Sequence, residues 1–488
     1  MRLVGVAQIA QRYDFVVVGT GFGSLFFTHR LLDALPPNAR VLLIERGRFR
    51  DHATQIAEDR NGDGPVGDYV DIENPAKKNW NFTVALGGGT LCWWGQSTRF
   101  HPSSFNLKTT HGFGRDWPIS YGDLEEDYCD AEEIIGVSGD SDDVQELPRS
   151  RPFPFPAHVL STPDRVLKAA YPGRHIALPS ARPSIANDRR SQCCANGVCG
   201  RCPVDAKFTG LNGMARVFED PRVAILIDAC VTRLDIENKS AKSVVFEHSG
   251  REFLVAADHV VLGANALFNP VILAQSGLTH PLLGRRLNEQ RGLLFEVHLA
   301  KLDALDGGSA ATGLYLGGIN PPDRAQRGSF TYTIDNRWRV FGLRPEAEKA
   351  KRVFPLIMMV EEDPQIENHV DLSRSTRERP RILHPVFSNY GRAGVATGRS
   401  QLESYLSPLG LEWISEPQEW ATGGHMEGTT VMGNDRTDSI VDADQIHHEV
   451  RNLSIVGSSV FPTCGNYTPS LTVAALSLRA ARRLTAKS

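Results

Sequence analysis

The stretch YDFVVVGTGFGS at residues 13–24, followed by VLLIE at residues 41–45, decides the fold of this chain. The two short apolar runs predict strands that are buried on both faces of a sheet. The glycines between them predict a tight turn into a helix whose free N–H groups and positive dipole end suit phosphates. The order of strand, turn, helix and strand therefore predicts a unit that binds the ADP half of a dinucleotide.

Each small or charged residue of this stretch has a predicted role at the nucleotide. Gly19 permits the turn, Gly21 lets the backbone approach a pyrophosphate, and Glu45 offers a carboxylate to a ribose 2′-OH. Ser24 stands where a third glycine is usual, and it is small enough for close helix–strand packing. A glycine-rich turn without a ligand is the alternative for the bare motif. The predicted contacts are Gly19, Gly21, Phe22, Gly23, Ser24, Glu45 and Arg46.

Length and composition limit the classes of protein to which the chain can belong. With 488 residues it is expected to form two or more domains. The formal net charge of −4, without a basic tract, argues against a nucleic-acid partner. The sequence has no apolar run of about 18 residues, so no intrinsic membrane segment is expected. The apolar stretch before residue 21 is too short and broken for a signal peptide, which predicts a cytoplasmic protein.

Short strand-like runs occupy the middle of the chain, at residues 294–299, 329–334 and 354–360. Loops rich in Gly, Pro and Asp separate them, which is typical of an antiparallel sheet. Residues 51–80 are polar and are expected to run over the surface. The chain is therefore expected to combine an α/β nucleotide-binding part with an antiparallel sheet.

Four further segments resemble one family of enzymes. They read LGGGTLCWWGQSTRFHPSSF at residues 86–105, DWPISYGDLEEDYCDAEEIIGVSG at 116–139, HMEGTTVMG at 425–433 and NLSIVGSSVFPTCGNYTPSLTVAALSL at 452–478. With the N-terminal motif, they resemble the glucose-methanol-choline (GMC) family of flavin oxidoreductases. The first of these segments looks most similar to the catalytic subunits of bacterial sugar and polyol dehydrogenases.

The resemblance implies a fold in which two domains alternate along the chain. A Rossmann-like FAD-binding domain, of the α/β class, would take residues 1–120, 191–290 and 421–488. A substrate domain built on an antiparallel β-sheet would take residues 121–190 and 291–420. The fold class expected is therefore α/β with an antiparallel sheet.

The resemblance also implies FAD as the cofactor and adds residues that should contact it. Three successive glycines beside two tryptophans suit a backbone pressed against the flat flavin ring. The segment around Gly457 should lie near the other end of the cofactor. The additional predicted contacts are Gly88, Gly89, Thr90, Trp94, Val231, Gly457, Ser458 and Thr468.

Hydride loss from an alcohol carbon requires a base, and a histidine is suited because its pKa lies near neutrality. His425 matches the active-site histidine of the resembling family. The family usually places a second Asn or His where Thr468 stands here, which is a departure. A threonine hydroxyl can donate one hydrogen bond but cannot act as a base at neutral pH. Asn466 is the nearby residue that could reach the substrate in its place.

Four cysteines, Cys193, Cys194, Cys199 and Cys202, lie close together and end in a Cys-Gly-Arg-Cys-Pro run. This ending resembles ferredoxin-type loops, in which turns bring thiolates around iron. Some sugar dehydrogenases of the resembling branch carry a cluster here, with one more residue between the last two cysteines. The resemblance therefore implies an iron–sulfur centre, with 3Fe–4S favoured. Zinc, a disulfide and free structural thiols are the alternatives.

The leading hypothesis is an FAD-dependent dehydrogenase that oxidises a hydroxyl of a sugar, polyol or glycoside. The resembling branch implies a small partner subunit and a cytochrome or quinone that accepts the electrons. Export with a signal-bearing partner would place the protein in the periplasm. The alternatives are an oxidase of the same family that uses oxygen, and a flavin-bearing lyase in which FAD is structural.

Overall fold

The computed structural model describes residues 1–73, 78–144, 146–197, 199–336, 350–420, 422–465 and 467–486. Its strands are β1 Arg12–Val18, β2 Val41–Ile44, β3 Asp71–Glu73, β4 Ser138–Gly139, β5 Phe155–Pro156, β6 His175–Ala177, β7 Val223–Leu226, β8 Cys230–Glu237, β9 Ser240–His248, β10 Arg251–Leu262, β11 Arg291–Leu299, β12 Gly313–Gly318, β13 Phe330–Ile334, β14 Val353–Val360, β15 His369–Val370, β16 Arg381–Leu383, β17 Leu411–Ile414, β18 Gln418–Glu419 and β19 Leu453–Ile455. Its α-helices are α1 Phe22–Ala34, α2 His52–Ala57, α3 Leu107–His111, α4 Glu125–Ile135, α5 Thr162–Ala170, α6 Gly210–Gly213, α7 Ala215–Phe218, α8 Asn265–Gln275, α9 Asn389–Leu406 and α10 Ser470–Thr485. None of the helices in these ranges has both the length and the apolar composition needed to cross a bilayer.

The first sheet contains the predicted nucleotide motif. Among the described residues its strands follow the order β7-β2-β1-β10-β9-β8, and β19 also pairs with β10. The strands β7, β2, β1, β10 and β19 are parallel, whereas β9 is antiparallel to both β10 and β8. The two halves meet in β10, where residues 251–256 pair with β9 and residues 260–262 pair with β19. The parallel strands therefore end at one edge, which is where open α/β sheets bind ligands.

The apolar runs of β1 and β2 form the centre of the largest hydrophobic cluster. Val16, Val17, Leu42 and Leu43 are each 0% exposed. Helix α1 contacts β1 and packs along α10, so the C-terminal helix completes the packing of the N-terminal motif. Full burial of one Val or Leu side chain contributes about 1.5–3 kcal/mol. This burial explains why runs with no polar residue form strands here.

The second sheet is antiparallel at all of its described pairings. Its strands follow the order β17-β11-β14-β13-β12-β6, and β18 also pairs with β11. One face buries Phe295, Phe330, Phe354 and Met358 in a separate hydrophobic cluster. Helix α9 packs against β13 and β14. The strand-like runs of the middle of the chain are therefore β11, β13 and β14, as predicted.

The two sheets alternate along the chain, which confirms the predicted fold class. The first sheet takes strands from residues 12–44, 223–262 and 453–455, and the second takes them from residues 175–177 and 291–419. The division of the chain between two domains stays a prediction, and a small third sheet joins β3 at residues 71–73 to β16 at residues 381–383. The boundaries themselves, at residues 120, 190, 290 and 420, stay a prediction.

The polar segment 51–80 departs from the expected surface run at its end. Val70, Lys78 and Trp80 are only 1%, 4% and 2% exposed. Trp80 packs in a hydrophobic cluster with residues of α8 and β16. Lys78 forms an ion pair with the buried Glu289. The prediction of a surface segment is wrong for these residues, because Val70 and Trp80 bury apolar surface and the charge of Lys78 is paired.

Candidate active site

A cavity of about 500 Å³ is lined by residues of both sheets and is the candidate active site. The turn between β1 and α1 forms one wall, from Gly19 to Gly23. Another wall includes Thr333 of β13 and both Ile357 and Met359 of β14. Cofactor and ligand sites commonly have volumes of about 300–1,000 Å³. The predicted nucleotide motif and the antiparallel sheet therefore border the same space.

Two glycines of the nucleotide motif are required by close backbone contacts. Gly19 has φ +84°, and an added Cβ would lie 2.5 Å from the carbonyl oxygen of Gly263. An added Cβ at Gly23 would lie 2.8 Å from the backbone nitrogen of Gly457. The first contact joins the turn to the end of β10, and the second joins α1 to the segment after β19. The glycines thus allow three strand ends to meet at the cavity.

Glu45 ends β2, lines the cavity and is only 6% exposed. Its Oε2 accepts hydrogen bonds from the backbone N–H and the hydroxyl of Thr20, at 3.0 and 2.6 Å. Its Oε1 accepts one from the backbone N–H of Gly47 at 2.9 Å. Burial raises the pKa of Glu45 above its usual value. The carboxylate therefore stabilises the turn and also faces the cavity, where a ribose hydroxyl could bind.

Three glycines that line the cavity have open space beside them, and this space bears on whether the site can hold the expected cofactor. An added Cβ at Gly21, Gly89 or Gly457 would meet no heavy atom within 4 Å, and all three residues line the cavity. Arg46 also lines it, and its Nη1 is buried without a hydrogen-bond partner in the described part of the chain. Glycine backbone at a helix N-terminus can bind a pyrophosphate, and so can a guanidinium group that has a free N–H. These residues fit FAD.

Most of the predicted site residues border this one cavity, although they come from well-separated parts of the chain. They are Gly19, Gly21, Phe22, Gly23, Glu45, Arg46, Gly88, Gly89, Trp94, Val231, His425, Gly457, Ser458 and Thr468. The neighbouring Thr20, Cys92 and Cys230 also line it. The fold therefore brings together residues that were predicted from separate sequence motifs.

Ser24 and Thr90 are placed differently from the prediction, since neither lines the cavity. Ser24 Oγ donates to the carbonyl of Val18 at 3.2 Å, and both Ser24 and Thr90 are 0% exposed. Thr90 Oγ1 donates to the carbonyl of Gly87 at 2.6 Å and accepts from the N–H of Gly210 at 2.8 Å. The structure corrects their roles from cofactor contact to packing behind the glycines, because their hydroxyls are already used by the backbone.

His425 borders the cavity and is held through one ring nitrogen. Its Nδ1 lies 2.6 Å from Oε1 of Gln290, and no described residue hydrogen-bonds to its Nε2. Burial, and then the positive charge of Lys78, lower the pKa of His425 to about 3. The imidazole is therefore neutral at physiological pH, and its free nitrogen can accept a proton.

A buried ion pair supports the loop that carries His425. Lys78 Nζ contacts Oε2 of Glu289, and the two side chains are 4% and 0% exposed. The other oxygen of Glu289 accepts from the backbone N–H groups of Gly423 and His425, at 2.6 and 2.8 Å. Glu289 therefore fixes the backbone of the loop, while Lys78 compensates its charge.

Further titratable groups lie buried behind this loop. Burial raises the pKa of Glu427 to about 8 and that of Glu362 to about 7. Burial lowers the pKa of Lys78 to about 7, and the charges of both carboxyl groups act on it in the opposite direction. Each shift favours the uncharged form, as a poorly solvated region requires.

Sequence reasoning did not select Lys78, Glu289 or Gln290. A signal for the last two was present, since the polar run Asn288-Glu-Gln290 directly precedes the apolar strand β11. Polar residues at a strand start commonly face a neighbouring loop. Lys78 lies in a polar stretch that gives no such signal, so only the three-dimensional structure reveals it.

Thr468 lines the cavity, and its hydroxyl donates to the carbonyl of Gln96 at 3.0 Å. Because that hydrogen is used, the oxygen is left to accept a hydrogen bond from a substrate hydroxyl. The predicted role as a donor is therefore corrected to that of an acceptor. Asn466 lies outside the described residues, and its role stays a prediction.

Two tryptophans form a corner of the cavity beside the antiparallel sheet. The ring centroids of Trp94 and Trp420 are 5.6 Å apart with an interplanar angle of 78°. Both residues line the cavity together with Ile357 and Met359. Flat aromatic faces bury the apolar faces of ring-shaped ligands. Trp420 was not predicted, although a tryptophan shortly before His425 is a signal that could have found it.

The described cysteines are not arranged as metal ligands. In the ranges that the structure describes, no group of three or more His, Cys, Asp or Glu residues could hold a metal ion. Cys193 Sγ lies 3.6 Å from Ser309 Oγ, whereas Cys202 Sγ accepts from the N–H of Ala206 at 3.3 Å. All eight cysteines of the chain are free thiols. The thiols as placed therefore do not fit the expected iron–sulfur centre, and they fit neither zinc nor a disulfide.

Lys207 accounts for part of this arrangement. Its buried Nζ donates to the carbonyls of Leu91, Trp93 and Gly200, at 2.9, 2.8 and 3.1 Å. Burial lowers its pKa to about 8, while thiols that include Cys92 act in the opposite direction. A cation bonded to three carbonyls thus joins the cysteine loop, residues 193–202, to the turn beside the cavity.

Comparison with known families finds two matching regions. The models that describe GMC oxidoreductases match residues 176–291 and 408–477 of this chain. The first region ends at β11, and the second contains His425 and the first half of α10. Each region contributes residues that line the cavity, such as Val231 from the first and His425 from the second.

Individual proteins are similar over nearly the whole chain. The fructose dehydrogenase large subunit of Gluconobacter japonicus is 25% identical and aligns with 96% of this chain and 97% of its own length. The 6'''-hydroxyparomomycin C oxidase of Streptomyces lividus is 27% identical and aligns with 97% of this chain and 91% of its own length. The crystal structure of pyridoxine 4-oxidase from Mesorbium loti superimposes with a TM-score of 0.66 at 18% identity, covering 96% of this chain and 99% of the other. At that identity the superposition shows a shared fold.

Proposed function

Since this chain belongs to the GMC oxidoreductase family, we propose that it is an FAD-dependent enzyme that oxidises a hydroxyl of a sugar, polyol or glycoside to a carbonyl. One observation carries the proposal. His425 lines a cavity whose other end fits the ADP part of the cofactor, and no described residue hydrogen-bonds to its Nε2. The names of the relatives, which specify fructose and hydroxyparomomycin, support a carbohydrate substrate.

The residues around the cavity have different roles in the proposed reaction. When bound, the flavin of FAD supplies a hydride acceptor at N5. His425 Nε2 accepts the proton of the substrate hydroxyl, so that the oxygen does not keep the positive charge that hydride loss alone would leave on it. Thr468 accepts a hydrogen bond from a neighbouring hydroxyl and orients the substrate. Trp94 and Trp420 pack against the substrate and exclude water.

The electron acceptor is part of the proposal and rests on the relatives. A dehydrogenase that passes electrons to a protein or quinone is supported by similarity to a fructose dehydrogenase large subunit. That description also supports a small partner subunit. We propose a cytoplasmic location for the chain by itself, and a periplasmic one if the partner supplies an export signal. Cell fractionation with and without the partner gene distinguishes the two.

The cysteine loop gives weaker support for an iron–sulfur cluster that would carry electrons away from the flavin. The motif favours a cluster, but the thiols as placed do not surround a common centre. No electron step is therefore assigned to this loop. Iron and acid-labile sulfide assays, with an absorption spectrum of anaerobically purified protein, test the expectation directly. About three irons per chain would restore it, and none would leave the loop structural.

A second candidate function is an oxidase of the same family, which similarity to hydroxyparomomycin oxidase favours. Hydrogen peroxide formed at the rate of substrate turnover would establish it. A lyase with structural FAD is the third candidate. A flavin that no sugar, polyol or glycoside bleaches under anaerobic conditions would favour the lyase and contradict the dehydrogenase.

The variant His425→Ala tests the role of the base. We expect the rate constant of anaerobic flavin reduction to fall by about 10²–10⁴-fold, the usual contribution of a positioned base. The FAD content should stay at that of the wild type, because the residues of the nucleotide end are unchanged. Rapid-mixing absorption measurements provide the rate, and the spectrum after gel filtration provides the FAD content.

The half-exposed His248 of β9 supplies a matched control. His248→Ala removes an imidazole bonded to the carbonyl of Asp228 and should leave flavin reduction unchanged. If His425→Ala reduced the flavin as fast as this control, the assignment of His425 as the base would be wrong.

A further inference from the structure

Gln290 lies directly before β11 and contacts the base from the side opposite the cavity. Its side chain is 1% exposed, and its Oε1 lies 2.6 Å from Nδ1 of His425. Its Nε2 lies 3.1 Å from Oε1 of Glu427, 2.8 Å from the carbonyl of Gly465 and 3.0 Å from the carbonyl of Tyr467. One end of the amide thus faces two backbone carbonyls and a carboxyl group, and the other end faces the imidazole.

This environment determines the orientation of the amide. An amide NH₂ group donates hydrogen bonds, whereas an amide oxygen accepts them. If the amide of Gln290 were reversed, its oxygen would face the carbonyl oxygens of Gly465 and Tyr467, which cannot donate, and in a buried site this is costly. The orientation with Nε2 towards Gly465 and Tyr467 is therefore the one that satisfies the hydrogen bonds.

The orientation of Gln290 in turn determines the protonation of His425. An amide oxygen cannot donate, so the contact of 2.6 Å requires a hydrogen on Nδ1. A neutral imidazole carries only one N–H, and Nε2 is then the nitrogen with the lone pair. No described residue hydrogen-bonds to this nitrogen.

We propose that Gln290 is a positioning residue that holds His425 in the Nδ1–H tautomer and so makes Nε2 the proton-accepting atom, an inference that rests on the proposed role of His425. The proton of the substrate hydroxyl forms a bond to Nε2, and the electron pair of the broken O–H bond stays with the substrate oxygen. The hydrogen on Nδ1 does not move. Gln290 acts on this step through His425 and does not touch the substrate.

The same amide also connects two segments that border the cavity. Its oxygen binds the loop at His425, and its nitrogen binds the turn that contains Gly465 and Tyr467. Because a side chain of fixed length spans both, it sets the distance between the base and the turn that leads to Thr468. A loss of the amide should therefore change the geometry of the proton transfer more than the affinity for FAD.

The test uses the FAD-bound full chain with ¹⁵N-labelled histidine. The wild type should show one histidine with a protonated Nδ1 and an unprotonated Nε2, identified by the loss of its signals in His425→Gln. Gln290→Leu and Gln290→Met should lose this pattern. They should also reduce the flavin about 10- to 100-fold more slowly, with the substrate dissociation constant unchanged within about threefold.

Gln445 provides a control with the same side chain and similar burial. It is 1% exposed, and its amide donates to the carbonyl of Leu476 at 2.9 Å, away from the residues that line the cavity. Gln445→Leu should leave both the histidine signals and the reduction rate constant unchanged. An effect equal to that of Gln290→Leu would indicate a general structural loss and overturn the proposal.

The outcomes separate this inference from the proposed function. If His425→Ala abolishes flavin reduction but wild-type His425 carries its hydrogen on Nε2, only the assignment of Gln290 is overturned. If His425→Ala reduces the flavin normally, the base assignment is wrong and the inference falls with it. The wild-type signals alone identify the tautomer, so the proposal can be contradicted even if neither Gln290 variant folds.

Discussion

The two ends of the cavity are built in different ways. At the nucleotide end, Gly19, Gly21 and Glu45 come from one contiguous stretch of sequence, and each acts mainly through the backbone around it. At the catalytic end, His425 depends on Lys78 and Glu289, which lie far from it in the chain. A local motif can specify the first kind of site, whereas the second kind depends on the assembled fold.

The largest effect should come from removing the charge that holds the catalytic loop. Glu289→Leu removes the carboxylate that pairs with Lys78 and accepts two backbone N–H groups. Breaking a buried pair in this way costs about 3–5 kcal/mol of unfolding free energy. Urea denaturation measures it. The exposed pair of Arg399 with Glu416 is the control, and Glu416→Leu should cost about 0–1 kcal/mol. Equal losses would mean that the catalytic end has no special dependence on Glu289.

The next effect should appear at the nucleotide end as a loss of affinity for FAD. Gly21→Val adds a side chain in space that holds no heavy atom within 4 Å, so the fold should tolerate it. The side chain would occupy space that the cofactor needs, at a cost of about 1–3 kcal/mol, or about 5- to 150-fold in affinity. Titration of the apoprotein with FAD measures the dissociation constant. Gly67→Val, at another open position on the exposed surface, should bind FAD as the wild type does. Normal affinity in Gly21→Val would place the pyrophosphate elsewhere.

The smallest effect, about 1.4 kcal/mol for each pH unit, concerns the pH dependence of the catalytic end. The pKa of Glu427 is raised from 4.5 to about 8 by burial, so its contribution to stability is fully present below pH 4.5 and is lost as the pH rises to about 8. Glu427→Gln cannot ionise. The unfolding free energy of the variant should therefore rise relative to that of the wild type by about 1.4 kcal/mol per pH unit within this window.

Urea denaturation at a series of pH values measures this difference. Glu416→Gln, at an exposed position, should run parallel to the wild type across the same range. If the curves for Glu427→Gln and the wild type were parallel, the carboxyl group of Glu427 would be ionised in the folded wild-type protein. The catalytic end would then be better solvated than its burial indicates.

The sequence predicts the nucleotide end well because its requirements are local. The turn at Gly19, the strand that ends in Glu45 and the approach of the backbone at Gly21 all follow from adjacent residue types. The fold class follows for the same reason, since buried parallel strands and alternating antiparallel strands differ in their local patterns. Ser24 and Thr90 are exceptions, because a hydroxyl that faces the cavity and one that binds the backbone behind it give the same sequence pattern.

The catalytic end could be predicted only in part. His425 was found through a family motif, whereas the ion pair of Lys78 with Glu289 joins residues for which no local rule exists. The cysteine loop shows the converse case. Its spacing predicts a metal site, yet a metal site depends on the relative positions of several side chains, and spacing alone does not determine them.

The pairing of β10 has a consequence for biosynthesis. This strand receives β1 on one side, from about 240 residues earlier, and β19 on the other, from nearly 200 residues later. Helix α10 then closes over α1. The first sheet therefore cannot be completed until the ribosome has released β19, which ends at residue 455. Contacts of such long range make folding slow, and the parallel strands stay unpaired while they wait. A nascent chain of this kind is expected to need protection by chaperones until its last helix is free.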